Sequence, residues 1–287
     1  MQMPDPNIPT VGTEHWTGRD GAKLFLWNKR APSVGTKSGV ILFVHGSSMA
    51  SQPTFDVHVE GRPHSSAMEY FAERGFDTWT LDHEGYGRST KDRGIDATIS
   101  EGADDLKAAT DYIFKTRNHT GPLLVYGISS GALRAALFAQ RHPNRVRRLA
   151  LDAHVWTGEG SPTLVERRKK LPELTKTKRR PIDRKFVRSI FERDHPGTAD
   201  DNVIEAFAKH ILELDDSIPN GTYIDMCSKL PVVDPRQITV PTLVLRGQFD
   251  GIASMDDLID FFKLLPSPDK QFTVMNGISH ASFQQKN

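Results

Sequence analysis

The chain has 287 residues, with 37 Lys and Arg against 36 Asp and Glu, a formal net charge of +1, and one cysteine, Cys227. A near-neutral balance gives no electrostatic reason to expect a nucleic-acid partner. No apolar run approaches the ~20 residues of a membrane span, and a lone cysteine cannot close an intramolecular disulfide. The start, Met1-Gln-Met-Pro-Asp-Pro6, shows neither the basic nor the apolar region of a secretory signal, so a cytoplasmic location is expected.

Residues 1–12 read as loose. His15–Thr17 and Lys23–Trp27 flank Gly18-Arg-Asp-Gly21, the pattern of a hairpin closed by an Asp-Gly turn. Gly39–His45 is a continuous apolar run, as expected of a parallel strand buried on both faces. A helix over Ser65–Arg74 and a strand over Phe76–Asp82 follow. Ser100 is the expected cap of a helix running to about Asn118, with Glu101, Asp104 and Asp105 in its first turns, where the helix dipole favours acids. Leu123–Tyr126 and Val146–Asp152 are the next strands. From about Trp156 to Gln237 the pattern is helical, highly charged, cut by prolines and without a strong strand. Strands resume at Thr242–Arg246, a helix is expected at about Met255–Leu265, and a last strand at Gln271–Met275. Alternating strands and helices predict an α/β fold: a mostly parallel central sheet with helices on both faces. Residues 13–155 and 238–287 form the expected core. Residues 156–237 form the expected helical cap over the strands' C-terminal ends, where such sheets bind ligands.

Within Leu123–Gly131, a β-type run feeds Gly127-x-Ser129-x-Gly131, and an Ala- and Leu-rich helix follows. That is the pattern of a nucleophile elbow, a sharp turn that projects a serine Oγ from the end of a sheet. A serine needs a base in hydrogen-bond reach, and the base needs an orienting acid. His280, past the last strand, supplies the base, and Asp250, past the strand before it, supplies the acid; Asp152 is the rival for the acid role. The backbone N–H groups of Ser47 and Ser130 are the expected donors to an oxyanion. His45 reads as a packed histidine that positions the Gly46-Ser47 turn.

Together His45-Gly46, Asp82-x-x-Gly85-x-Gly87-x-Ser89, the Ser129 elbow, Asp250-Gly251 and His280 resemble the α/β-hydrolase superfamily, in the branch of monoacylglycerol lipases and proline-iminopeptidase-like (S33-type) enzymes. The resemblance covers about residues 13–280. It implies a serine hydrolase that works through an acyl-enzyme without a cofactor, and a structural role for the Asp82–Ser89 loop. Relatives with dehalogenase or epoxide hydrolase chemistry place Asp where this chain has Ser129. A small or medium carboxylic ester is the expected substrate. A lactone, an amide, a carbon–carbon bond or an acyl acceptor other than water are alternatives, as is a non-catalytic binding protein on the same fold.

Two departures stand out. Most members carry a further helix after the histidine, whereas seven residues follow His280 here. The Ser47–Ser65 stretch is also long and carries Asp56, His58, Glu60 and His64, whose spacing is not that of a metal site; no metal is expected. His154, Trp156, Tyr223 and Met226 are candidate pocket residues. The basic run from Arg167 to Arg193 reads as a solvated helical face, the alternative being attraction of an anionic substrate to the entrance.

Overall fold

The computed structural model describes residues 9–280 and 282–286. In chain order the elements are β1 (Val11–Arg19), β2 (Ala22–Arg30), β3 (Gly39–Val44), α1 (Ser51–Phe55), α2 (Ala67–Ala72), β4 (Phe76–Leu81), α3 (Ile99–Arg117), β5 (Leu123–Ile128), α4 (Ser130–Arg141) and β6 (Val146–Asp152). Then come α5 (Pro162–Lys169), α6 (Leu171–Leu174), β7 (Arg179–Pro181), α7 (Arg184–Glu192), α8 (Asp201–Leu214), β8 (Ser217–Pro219) and α9 (Gly221–Ser228). The chain returns to the sheet through β9 (Thr242–Gly247), α10 (Met255–Leu264) and β10 (Lys270–Met275).

Eight strands form one sheet in the order β1-β2-β4-β3-β5-β6-β9-β10. The β1–β2 hairpin turns at Asp20 and Gly21, both with positive φ (49° and 86°), as a two-residue turn requires if its twist is to match the strands. β2 runs antiparallel to β4, and every later neighbour in the sheet is parallel. Parallel strands are apolar on both sides because both sides are buried. Val40, Leu42 and Val44 of β3 join the cluster that takes Leu106 of α3, Leu133 and Ala136 of α4 and Phe261 of α10. Ile41 and Phe43 join the opposite cluster with Phe55 of α1 and Met68 of α2. A groove of about 300 Å³, lined by Ile41, Phe43, Phe71, Leu124, Tyr126 and Leu243, runs across this second face. After His280 the described chain holds only the 3₁₀ turn Ser282–Gln284.

The segment between β6 and β9 is helical as expected, with one addition. β7 and β8 pair as a short antiparallel ribbon, Arg180 opposite Ile218. Three residues per strand are too few to leave a pattern in sequence. α7 presents Val187, Ile190 and Phe191 on one stripe. These pack with Phe207 and Ile211 of α8 and with Met49 and Tyr86 from the loops at the sheet's edge. Among the described residues no helix is long and apolar enough to cross a membrane.

The α3 cap sits two residues earlier than expected. Thr98, not Ser100, accepts from the Glu101 N–H (3.1 Å), and the Glu101 carboxylate accepts from the Thr98 N–H (2.7 Å). That reciprocal pair satisfies two N–H groups that a lone Ser100 cap would leave open. Thr98→Ala is therefore expected to lower unfolding free energy by about 1 kcal/mol. Ser100→Ala should stay within about 0.5 kcal/mol. Urea denaturation of both variants checks the assignment.

Candidate active site

β5 lies between β3 and β6, with Gly127 opposite Val44 on one side and Leu151 on the other. The chain reverses at Ser129, whose φ of 57° and ψ of −125° lie outside the ordinary regions for a side-chain-bearing residue. Such a conformation costs on the order of 1–3 kcal/mol and persists only where the surroundings impose it. Here they do. A Cβ on Gly127 would lie 2.4 Å from the Gly131 carbonyl oxygen, and one on Gly131 would lie 2.3 Å from that of Val44. Strand, turn and helix therefore approach backbone to backbone. The Ser129 N–H donates to the Asp152 carbonyl (2.9 Å), and the Ala132 N–H donates to the Ser129 carbonyl (2.9 Å).

The fold brings the three expected residues together. Asp250 Oδ1 lies 2.9 Å from His280 Nδ1, and His280 Nε2 lies 3.0 Å from Ser129 Oγ. An ionised carboxylate only accepts, so Nδ1 carries the proton and the Nε2 lone pair faces the serine hydroxyl. All three side chains are buried: Ser129 is 7% exposed, His280 5% and Asp250 3%. Burial alone would push the Asp250 carboxyl up. The His280 ring and its hydrogen bond, the Ile252 N–H (2.9 Å) and Arg193 outweigh that and hold it below the usual carboxylate value. Asp250 is thus ionised at neutral pH. The histidine loop is tied on several sides: Ser279 Oγ donates to the Phe191 carbonyl (3.3 Å), Thr198 Oγ1 donates to Ser279 Oγ (3.1 Å), and Ser282 hydrogen-bonds Asp152.

The turn after β3 faces this group. A Cβ on Gly46 would lie only 3.8 Å from Ser129 Oγ. His45 is fully buried, and its Nε2 accepts from the His83 N–H (3.1 Å). Its Nδ1–H therefore donates to the Gly46 carbonyl (2.7 Å), and burial holds the ring neutral, well below the usual histidine value. The next carbonyl, that of Ser47, accepts from the Tyr86 hydroxyl (3.3 Å) and from Arg180 Nη2 (3.2 Å). Both peptide planes that flank Ser47 are thereby pinned. Ser130 is the first residue of α4, so its N–H has no intrahelical acceptor.

The remaining candidates divide. Asp152 lies beside this group, but its carboxylate hydrogen-bonds Tyr126 and Ser282 rather than the imidazole. Of the four pocket candidates, only Tyr223 reaches the turn after β3, with its hydroxyl 3.4 Å from Ser48 Oγ. His154 is buried against Phe261, with ring centres 4.6 Å apart. The Trp156 N–H donates to Asp257 and its indole to the Val233 carbonyl. Met226 is fully buried in the main core cluster. Trp156 and Met226 are accounted for by packing and hydrogen bonds, whereas both ring nitrogens of His154 are buried without a partner among the described residues. Asp56 binds Lys29 Nζ (2.8 Å) and the Trp27 indole (2.7 Å), and His64 lies 3.7 Å from Glu73, so Asp56 and His64 are engaged by side chains of the neighbouring strand and helix end. In the Asp82–Ser89 loop, Asp82 accepts from the Ser51 and Arg88 N–H groups and Ser89 Oγ donates back to the Asp82 carbonyl. Sequence reading missed the partners of Asp152 and the inward turn of Arg167 and Arg180. No local pattern marks them, because each contact spans at least two elements.

Asp152 makes a stability test. Burial pushes its carboxyl from the usual 3.8 up to about 6, with Asp250 adding repulsion and the Ser282 and Tyr126 hydrogen bonds opposing. A carboxyl whose folded value is raised binds a proton in the folded state that the unfolded chain has already lost. Its contribution to stability is present at about pH 4 and falls as pH rises towards 6. Between these limits the wild type should lose roughly 2 kcal/mol relative to Asp152→Asn. Denaturation of the two proteins from pH 4 to 7 measures the difference, and parallel curves would contradict the assignment.

The family profile described as serine aminopeptidase, S33 matches residues 36–287. No curated protein sequence matches the chain at a significant level. Among solved structures, E-2-(acetamidomethylene)succinate hydrolase is similar at 19% identity and a TM-score of 0.66, covering 94% of this chain and 92% of that one. A thermophilic esterase from Thermogutta terrifontis, solved with malate bound, is 21% identical with a TM-score of 0.64 over 96% and 93% of the two chains. The monoacylglycerol lipase of Paleococcus ferrophilus is 17% identical with a TM-score of 0.61 over 90% of each. At these identities the likeness is one of fold, and it agrees with the eight-stranded, mostly parallel sheet and its flanking helices. The profile match runs through the Ser129 elbow, Asp250 and His280, and with it the chain belongs to the S33 serine aminopeptidase family of α/β-hydrolases.

Proposed function

We propose that this protein is a serine hydrolase that cleaves small or medium carboxylic esters, with Ser129 as nucleophile, His280 as base and Asp250 as the orienting acid. The observation that carries this reading is the run from Asp250 through His280 to Ser129, at 2.9 and 3.0 Å, on a strained turn. Ser129 Oγ attacks the ester carbonyl carbon while His280 Nε2 takes its proton. The carbonyl oxygen becomes an oxyanion held by the Ser47 and Ser130 N–H groups. In other serine hydrolases one such donor contributes about 3–4 kcal/mol to the transition state. Collapse expels the alcohol, which takes the proton from His280. Water then repeats the sequence on the acyl-enzyme and restores Ser129. Asp250 stays ionised throughout and steadies the imidazolium. Residues 156–237 act as a cap that closes the site from above. The same groups serve a lactone, an amide or a carbon–carbon substrate, or an acyl acceptor other than water; ester cleavage is the simplest chemistry that uses all of them.

Ser129→Ala is expected to cut kcat on 4-nitrophenyl butyrate by at least about 10⁴-fold. A folded variant that keeps its turnover, with an unchanged circular dichroism spectrum, would end this reading. Wild type that neither hydrolyses esters nor reacts with a fluorophosphonate at Ser129 would favour a binding protein on the same fold. The acid role has its own test. Asp250→Asn should lose about 10³–10⁴-fold in kcat, by analogy with other triads. Asp152→Asn should lose less than about tenfold, because it orients no proton on the imidazole. The reverse order would move the acid role to Asp152.

A further inference from the structure

Most of the basic stretch in the inserted segment is neutralised or solvated. Lys169 pairs with Glu166, Arg184 with Glu205, and Arg188 with Glu192, Asp201 and Glu205. Arg167 of α5 and Arg179 and Arg180 of β7 have no carboxylate partner among the described residues; Arg179 donates to the Gly85 carbonyl and to Ser217, whereas Arg167 and Arg180 lie against Tyr223. Their guanidinium carbons lie 4.1 and 3.6 Å from the centre of the Tyr223 ring, whose hydroxyl meets Ser48. Arg180 donates only to neutral acceptors: the Ser47 carbonyl (3.2 Å), the Pro219 carbonyl (2.6 Å) and Asn220 Oδ1 (3.2 Å). Arg167 Nη1 and Arg180 Nε are buried with no partner at all among the described residues. A third guanidinium, Arg193, has Asp194 as its carboxylate (3.3 Å). Arg167 and Arg193, with Glu166, Asp194, Phe249 and Gly251, line a cavity of about 430 Å³, while Arg180 lies outside that lining on the Ser47 side of Tyr223.

Buried charge without a counter-ion is costly, and proteins ordinarily pair it. Tyr223 reports the surplus: burial raises its phenol, yet Arg167, Arg180 and Arg193 bring it down to about 7. A neutral ester would leave Arg167 and Arg180 as they are, whereas a carboxylate matches the planar fork of a guanidinium with two parallel hydrogen bonds. Arg180 also touches Ser47, so an anion bound there lies close to the carbonyl under attack. We propose that Arg167 and Arg180 form an anion subsite, and that the substrate is an ester bearing a carboxylate on one of its two halves. This rests on the hydrolase reading above and names its substrate class.

The test compares two matched pairs of esters. One is phenyl hydrogen adipate against phenyl methyl adipate, with the charge on the acyl half. The other is 3-carboxyphenyl acetate against its methyl ester, with the charge on the leaving half. Wild type is expected to show at least tenfold higher kcat/KM for the acid in one pair, and Arg167→Met to reduce that preference at least tenfold. Arg167→Lys, which keeps the charge but not the fork, should fall between them. Equal rates for acid and neutral esters in both pairs, or an equal loss on both members in Arg167→Met, would overturn the subsite. Binding of adipate to Ser129→Ala, followed by calorimetry, is read without turnover. It should weaken at least tenfold when Arg167→Met is added, and no weakening would overturn the subsite even if ester hydrolysis succeeds. Absence of any ester turnover, with adipate binding still dependent on Arg167, would instead sink the hydrolase reading and leave the subsite standing.

Discussion

The close approach of β5 to α4 is the constraint on which the site depends. Gly127 and Gly131 let two backbones meet at distances that any side chain would forbid, and the residue between them is driven to positive φ. The strain is held by elements that cannot yield. β5 is hydrogen-bonded between two parallel neighbours, α4 is buried from Ser130 to Ala139, and the Ser129 N–H is tied to β6. The Ser129 side chain has little freedom left, and its hydroxyl stands where the Nε2 of His280 can meet it.

The electrostatics around that hydroxyl depend on neighbours rather than residue type. Asp250, Asp152 and Asp194 all lie near the imidazole or its partner, yet their surroundings differ. Asp250 receives the imidazole N–H and a backbone N–H and is held low. Asp152 receives two hydroxyl groups, which offset burial less, and is pushed to about 6. Asp194 is tied to Arg193 and Thr163 in the inserted segment. Only Asp250 combines a standing charge with a direct bond to His280. On the far side, His45, Tyr86 and Arg180 hold the two carbonyls around Ser47. Since Arg180 belongs to the inserted segment, the turn after β3 is held partly by residues that lie 133 positions away.

Much of this was legible in the chain itself. The Asp20-Gly21 hairpin, the runs that became β3 to β6, and the glycines around Ser129 each declare themselves within a few residues, because turn geometry and strand burial are local demands. Asp250 and His280 stand where predicted strands stop, and in a parallel sheet such positions share one rim. Thr98 and Ser100 both suit the cap of α3 by residue type. Only the Glu101 side chain folding back chose between them. β7 and β8 were missed because a three-residue pair leaves no periodicity. His154, Trp156 and Met226 were pocket candidates on residue type alone, and their type suits packing against α10 and the core equally well.

The amino-acid order by itself determined the α/β layering, the elbow, and the identity of the serine, the histidine and a short choice of acids, since these follow from spacing along one strand, turn or helix. Tertiary structure decided which acid meets the imidazole, which groups fix the carbonyls around Ser47, and which two arginines of a long basic stretch lie against Tyr223. Apart from that of His45 with the neighbouring Gly46 carbonyl, those contacts join residues about 30 to 133 positions apart. Their distances are set by how helices dock on the sheet, and no pattern confined to one element records that docking.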